Sequence, residues 1–319
     1  MTILITGVHG FVGSNLVHAL SANHLIYGLD IVAPKKIGVV KTFSWENLEE
    51  GKIPTVDAII HLAGKAHDTK NRLQAQAYFD INTGLTQKIF NYFSARPETT
   101  KFIFFSSVKA AVDRVPGDIL TEDVKTCPVG PYGTSKVKAE EYIQAALNTT
   151  PELYADRQII ILRPCMIHGP GNKGNLNLLF KVVDKRIPWP LGKFENKRTF
   201  TSVDNLNFAI NGLLEKNVES GVYNMADDEA LSTNELIDVM CTALGRKAHI
   251  WRFPKGFIIS CAKIGDVLHL PLNTFRLNKL TENYVVANTK IKRALGVDSM
   301  PVRAYDGLAK TIRSFTALK

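Results

Sequence analysis

Thr2 to Thr6, TILIT, is a short apolar and β-branched run. It leads directly into Gly7-Val-His-Gly10-Phe-Val-Gly13, and Phe11 to Leu20 then follows with helical spacing. A strand joined to a helix N-terminus by a glycine turn is the feature that most limits what this chain can become. Free N–H groups and the positive end of the helix dipole meet there, which suits an anion. Gly7 can take the tight turn, Gly10 lets backbone approach a pyrophosphate, and Gly13 lets helix and strand pack closely. The spacing is GxxGxxG rather than GxGxxG. Glycines also mark ordinary turns, but the position between strand and helix favours a dinucleotide loop.

The rest of the first half keeps the same alternation. Leu25 to Asp30, Asp57 to Gly64, Lys101 to Ser107 and Gln158 to Pro164 read as further strands. Helices are expected at roughly Leu73 to Ala95 and from Tyr132 to about Leu147. Apolar strands separated by helices imply a parallel sheet buried on both faces. From Pro164 to about Arg198 the chain is rich in Gly, Pro and Asn, with one short helix near Leu178 to Asp184. Strand and helix signals return at Phe200 to Leu214 and at Val222 to Ala226. From Ser232 the chain is mostly helical, opening on the capping box Ser232-Thr-Asn-Glu235. The expected architecture is α/β: a Rossmann-type doubly wound parallel sheet from residues 1–163 plus about 200–226. A smaller, discontinuous, mostly helical C-terminal substrate domain takes about 164–199 plus 227–319.

Composition narrows the partners. The chain has 319 residues, 45% of them hydrophobic, enough for a sizeable core. Apolar runs such as Phe257 to Cys261 are too short to span a bilayer. The opening residues already read as a strand, with no secretory leader before them. Cys127, Cys165, Cys241 and Cys261 are widely spaced, with no CxxC pair and no metal-ligand spacing. A cytoplasmic protein without a metal is expected. The net charge of +9 comes from scattered basic residues without a long Lys/Arg run. Neither nucleic acid nor membrane is expected as a partner, and nucleotide-diphosphate ligands would account for part of the charge.

Asp30 ends the second strand, where a dinucleotide site meets the adenosine ribose. A carboxylate there accepts from the 2′-OH and repels a 2′-phosphate, favouring NAD. Lys35 and Lys36 follow and could accept a phosphate, which leaves NADP open. Tyr132-Gly-Thr-Ser-Lys136 puts a phenol and an ammonium at i and i+4 on one helix face. A neighbouring cation favours phenolate and would lower the tyrosine pKa, fitting it for proton transfer. Ser107 stands at the carboxyl end of a strand, where open α/β sheets collect their ligands.

In this order the elements resemble the extended short-chain dehydrogenase/reductases, the NAD-dependent epimerase/dehydratase family. TGVHGFVG is similar to TGxxGFxG, HLAG to HLAA, and FFSSV, YGTSK and LRPCMIHGPG to the serine, catalytic and post-catalytic elements. KRTFTSVDNL resembles RxFxxVxDL. The resemblance is nearest to bacterial UDP-hexose 4-epimerase-like enzymes, through SSVK, GPGNKGN and PWPLG. That subgroup includes epimerases and C4 keto-reductases of UDP-N-acetyl sugars from surface-polysaccharide pathways. The resemblance implies catalysis by Ser107, Tyr132 and Lys136. It implies NAD contacts from Gly7, Gly10, Phe11, Val12, Gly13, Asp30, Leu62, Ala63, Gly64, Asn82, Tyr132 and Lys136. Ser107, Asn175, Arg198 and Arg276 are candidates for the nucleotide sugar, with Arg276 chosen on spacing alone. A homodimer through the two long helices is implied.

The departures also inform. Val108 and Lys109 stand where 4,6-dehydratases carry an Asp-Glu pair, so dehydration lacks its acid and base. Ala110-Ala111-Val112 replaces VYG, and His168 replaces a tyrosine before GPG. His61 reads as a core histidine beside the cofactor. Cys165 reads as a buried small hydrophobe, Trp189 and Trp251 as packing residues, and His67 receives no catalytic role. The expected activity is NAD-dependent 4-epimerisation of a UDP-hexose or UDP-N-acetylhexosamine. The alternatives are an NAD(P)H-dependent C4 keto-reductase of a UDP-4-keto-6-deoxy-N-acetyl sugar and a cofactor-binding protein without chemistry.

Overall fold

A computed structural model describes residues 1–65, 75–172, 174–270 and 272–317. Its strands are β1 (Thr2–Thr6), β2 (Leu25–Leu29), β3 (Lys41–Phe43), β4 (Ala58–His61), β5 (Lys101–Phe105), β6 (Gln158–Pro164), β7 (Met166–His168), β8 (Phe200–Ser202) and β9 (Gly221–Met225). Seven of them form one sheet in the order β3-β2-β1-β4-β5-β6-β9, and every pairing is parallel. β7 and β8 pair separately.

Side chains alternate across a strand, so each strand feeds two cores. Ile3, Ile5, Ile60, Ile103 and Leu162 face one side. There they meet Leu16 and Leu20 of α1 (Phe11–Leu20) and Leu206 and Leu213 of α8 (Val203–Glu215). Leu4, Ile59, Phe102, Phe104 and Ile161 face the other. They pack against Phe90 and Phe93 of α4 (Leu85–Ser94) and Ile143 of α6 (Gly130–Thr149). The doubly wound parallel sheet expected from the alternation is therefore present.

Three local features differ from the sequence reading. β3 and the short α2 (Trp45–Glu49) were not anticipated: β3 has only three residues, and the capping box before α2 uses Asn47 rather than an acid. The first long helix is not uniform. Its described part comprises α3 (Ala75–Tyr78), a π-helical segment (Phe79–Gly84) and α4. Residues 66–74, including His67 and the expected helix start, lie outside the described part. The expected short helix begins earlier, as α7 (Asn175–Asp184).

A third cluster joins α7, α9 (Thr233–Ala243), α10 (Lys255–Leu268) and α13 (Ala304–Ala317) through Phe180, Met240, Ile258, Leu308 and Phe315. Trp189 is buried there, but Trp251 is 52% exposed and does not serve the core. Among the described residues no helix is long and apolar enough to cross a membrane.

Candidate active site

β1 lies between β2 and β4, the point where the winding direction reverses and ligands of open α/β sheets bind. Gly7 takes φ +68°, and a Cβ on it would sit 3.0 Å from the Ala63 nitrogen. A Cβ on Gly13 would sit 2.5 Å from the Gly7 oxygen. Gly10 caps α1 without a side-chain bond, leaving the first turn open to an anion. Phe11 and Val12 form that turn, and Asn15 ties it to the GPG loop by donating to the Pro170 carbonyl at 3.2 Å. This close-packed glycine cradle fits a dinucleotide pyrophosphate. Asp30 follows β2 and accepts from the His9 N–H at 3.0 Å and the Ile31 N–H at 2.7 Å. Lys36 folds over the loop, donating to Ser14 Oγ at 2.6 Å and the Val8 carbonyl at 3.0 Å. Burial lowers its pKa and Asp30 partly restores it. Lys35 is exposed.

A buried relay runs from this loop to the π segment. The Thr6 hydroxyl accepts from the Leu62 N–H at 3.1 Å and the Ala63 N–H at 3.0 Å. Its proton therefore goes to His61 Nδ1 at 2.7 Å. Nε2 then carries the ring proton and donates to Thr86 Oγ1 at 3.0 Å. Thr86 passes its own to the Asn82 carbonyl at 2.6 Å. Burial first and Lys136 second push the His61 pKa well below 6.5, so the ring is neutral. The core-histidine reading of His61 agrees with this geometry.

The extra residue in the π turn presents Asn82 inward, a placement common at functional sites. Its amide donates to Ser135 Oγ at 2.9 Å and its oxygen accepts from the Lys65 N–H at 2.7 Å. Gly64 lies between: a Cβ there would meet Asn82 Oδ1 at 2.9 Å and Lys136 Nζ at 3.2 Å. A side chain at Gly64 would displace the Asn82 amide and the Lys136 ammonium, so glycine leaves both in place where HLAG meets the first turns of α6. Tyr132 is half-buried, its ring edge-on to Tyr78 at 6.3 Å, with the Ser107 side chain near enough to its phenol to hold its pKa down. Ser107 caps the short α5 (Val108–Ala111), accepting from the Lys109 N–H at 3.2 Å.

Ser107, Tyr132, Lys136, Asn82 and Gly64 therefore converge, but one electrostatic expectation fails. Burial raises the Tyr132 pKa, with the Ser107 bond opposing, and Lys136 does not lower it. Lys136 Nζ instead donates to the Phe105 carbonyl at 2.8 Å and lies over the Phe104 ring. Burial depresses the Lys136 pKa to about 8 against an opposing pull from Glu140. Glu140 is one of the residues the sequence did not reveal. It forms a buried pair with Arg163, with Nε–Oε1 at 3.0 Å, and also accepts from Ser106.

The candidates for the nucleotide end are more dispersed. Arg198 already pairs with Glu282 at 2.6 Å, while its buried Nε has no partner among the described residues. Asn175 begins α7, its side chain outside the described set. Arg276 lies exposed in the first turn of α11 (Thr274–Thr281). Lys109 donates to the Asp113 carbonyl at 2.8 Å and lies 4.1 Å from the Tyr284 ring centre, an ionic neighbourhood beside Ser107. Cys165 is buried against Thr199 with its thiol pushed up to about 12, which makes it inert. His168 is fully buried and bonds Thr311 of α13 at 2.9 Å, so its departure from tyrosine concerns packing.

Comparison with known proteins agrees with this geometry. A family model described as the NAD dependent epimerase/dehydratase family matches residues 3–226. The chain is 27% identical over 98% of its length to a UDP-glucose 4-epimerase of Vibrio cholerae, covering 95% of that protein. It is 26% identical over 91% of its length to an N-acetyl-alpha-D-glucosaminyl-diphospho-ditrans,octacis-undecaprenol 4-epimerase of Escherichia coli, covering 84% of it. It shares its fold with a UDP-glucuronic acid 4-epimerase from Bacillus cereus in complex with NAD, with TM-score 0.75 and 20% identity over 100% of this chain and 99% of that one. By the family match and the convergence of its elements, the chain belongs to the NAD-dependent epimerase/dehydratase family.

Proposed function

We propose that this protein interconverts the C4 configuration of a nucleotide-linked hexose or N-acetylhexosamine, UDP being the expected carrier. The observation that carries the reading is the convergence of Ser107 at the start of α5 with Tyr132 and the buried Lys136 on α6, where Gly64 packs against the Lys136 ammonium. Gly7, Gly10, Phe11, Val12 and Gly13 would hold the pyrophosphate of NAD, and Asp30 its adenosine ribose. Leu62, Ala63 and Gly64 would line the cofactor, with Asn82 tying the Lys65 backbone to Ser135 on α6 beside the nicotinamide end. Bound NAD supplies a reversible hydride acceptor.

Inversion at C4 requires that a proton leave the C4 oxygen and later return to it. Tyr132 is the group positioned to take and give back that proton. Ser107 stands beside the phenol and would orient the same sugar oxygen. Lys136 stays anchored on the Phe105 carbonyl and stabilises negative charge nearby. Arg198 would receive the diphosphate by exchanging Glu282 for it, and Asn175 and Arg276 would assist. The division into a cofactor part and a discontinuous substrate part is retained as a proposal, as are a cytoplasmic location and a homodimer.

Replacement Tyr132→Phe tests the assignment. Turnover should fall by at least about a hundredfold, the usual contribution of a positioned acid–base group. Nucleotide-sugar binding by calorimetry should be retained. Unchanged turnover would refute the role.

A further inference from the structure

Helix α10 turns Ile258, Ala262 and Gly265 inward. Phe257, Ile264 and Leu268, spaced i, i+7 and i+11, form a second apolar stripe that faces outward, with Val267 beside it 76% exposed. Just before the helix, Trp251 and Phe253 extend the stripe as a ladder of rings. The Trp251–Phe253 and Phe253–Phe257 centroids are each 5.7 Å apart. Phe275 of α11 is exposed as well. A contiguous apolar surface of this kind marks an interaction site.

The hairpin is held in shape. Gly265 lets the chain fold back, since a Cβ there would sit 1.8 Å from the Leu272 carbonyl oxygen. Asp266 caps the return by accepting from the Thr274 N–H at 3.0 Å. Charge then selects the partner. Residues 245–281 hold seven Lys and Arg against one Asp, and of these Lys279 is paired with Asp113 and Glu282 outside the segment, which leaves six basic side chains. That one acid, Asp266, is spent on the internal cap. A second copy would set this cationic face against itself, and side chains so exposed stand proud of the surface instead of lining a peptide groove.

We infer that the α10–α11 hairpin docks this protein on an anionic phospholipid bilayer. The Phe257–Ile264–Leu268 stripe enters the headgroup boundary while Arg252, Lys255 and Lys263 meet lipid phosphates. Basic charge, exposed aromatics and an apolar helix face are the features of an interfacial helix that lies on a membrane without crossing it. No membrane partner is expected from the sequence because no long Lys/Arg run occurs; the charge is instead spread over residues 245–281, alongside the exposed apolar stripe. The inference is independent of the reaction assigned to the site.

The test is flotation of the full-length protein with vesicles of equal parts phosphatidylglycerol and phosphatidylcholine, against pure phosphatidylcholine. Flotation should be several-fold greater on the anionic vesicles and should weaken in high salt. The double variant Phe257→Asp, Ile264→Asp should lose it while its circular dichroism and NAD binding stay unchanged. Absence of flotation on anionic vesicles, or equal flotation of the variant, would overturn the proposal. So would a variant that only turns a dimer into a monomer by light scattering, since the face would then join copies of the chain.

Discussion

Lys136, one helical turn beyond Tyr132, donates its ammonium to the carbonyl of Phe105 at 2.8 Å. Lys136 is 5% exposed, and burial holds its pKa at about 8, below the ordinary 10.5. The site therefore contains a cation that the fold does not favour.

This predicts a trade between stability and function. Between about 8 and 10.5 the folded state binds fewer protons at Lys136 than the unfolded state does, so stability attributable to this group rises with pH there. Below pH 8 the full penalty applies, about 3 kcal/mol for that displacement. Lys136→Met removes it but strips the Phe105 carbonyl of a donor, at about 1 kcal/mol. The cofactor-free variant should be inactive, yet about 2 kcal/mol more stable at pH 7. Denaturant titration should show the difference shrinking by pH 10. A variant less stable at pH 7 would refute the burial argument.

The glycine cradle gives a paired prediction. At Gly13 a methyl would lie 2.5 Å from the Gly7 oxygen and 2.8 Å from the Val8 Cα, and backbone cannot move aside cheaply. Gly13→Ala should cost about 1–3 kcal/mol and weaken NAD binding at least tenfold. Gly256, in α10 with nothing within 4 Å of its would-be Cβ, should tolerate alanine with a gain of about 0.5–1 kcal/mol. Thermal unfolding and NAD calorimetry on both variants decide this.

Asp30 should set the choice of dinucleotide. Asp30→Ser removes the repulsion toward a 2′-phosphate and leaves Lys36 nearby to attract one. The ratio of NAD to NADP affinity should fall by at least about tenfold, or 1.4 kcal/mol. An unchanged ratio in calorimetry would mean that Asp30 does not face the ribose.

These residues were legible because local sequence carries their geometry. The glycine spacing, the i and i+4 pair of Tyr132 and Lys136, and Ser107 at a strand end all follow from position within one element. What was not legible depends on contacts distant in sequence. Thr6, His61 and Thr86 become a relay only when β1, β4 and α4 are assembled. Arg198 looked free for a phosphate because its partner Glu282 lies 84 positions away. The Tyr132 pKa was misjudged because helix spacing predicts proximity to Lys136 but not that a carbonyl of β5 captures the ammonium.

Glu140 should be costly to remove. Its loss strands Arg163, 3% exposed, without a counter-charge. Glu140→Ala should destabilise by about 3–5 kcal/mol, as expected when one partner of a buried pair is removed. Chemical denaturation measures it, and a loss below about 1 kcal/mol would contradict a buried, tightly coupled pair.

The reaction itself is tested by incubating purified protein with UDP-GlcNAc or UDP-GalNAc, without added cofactor, and following the sugar C4 configuration by NMR. Interconversion of the two, in both directions and without net cofactor consumption, is the predicted result. No interconversion of either sugar, even with NAD supplied, together with stoichiometric oxidation of reduced cofactor on a 4-keto-6-deoxy UDP-sugar, would contradict the epimerase and establish a one-way reductase.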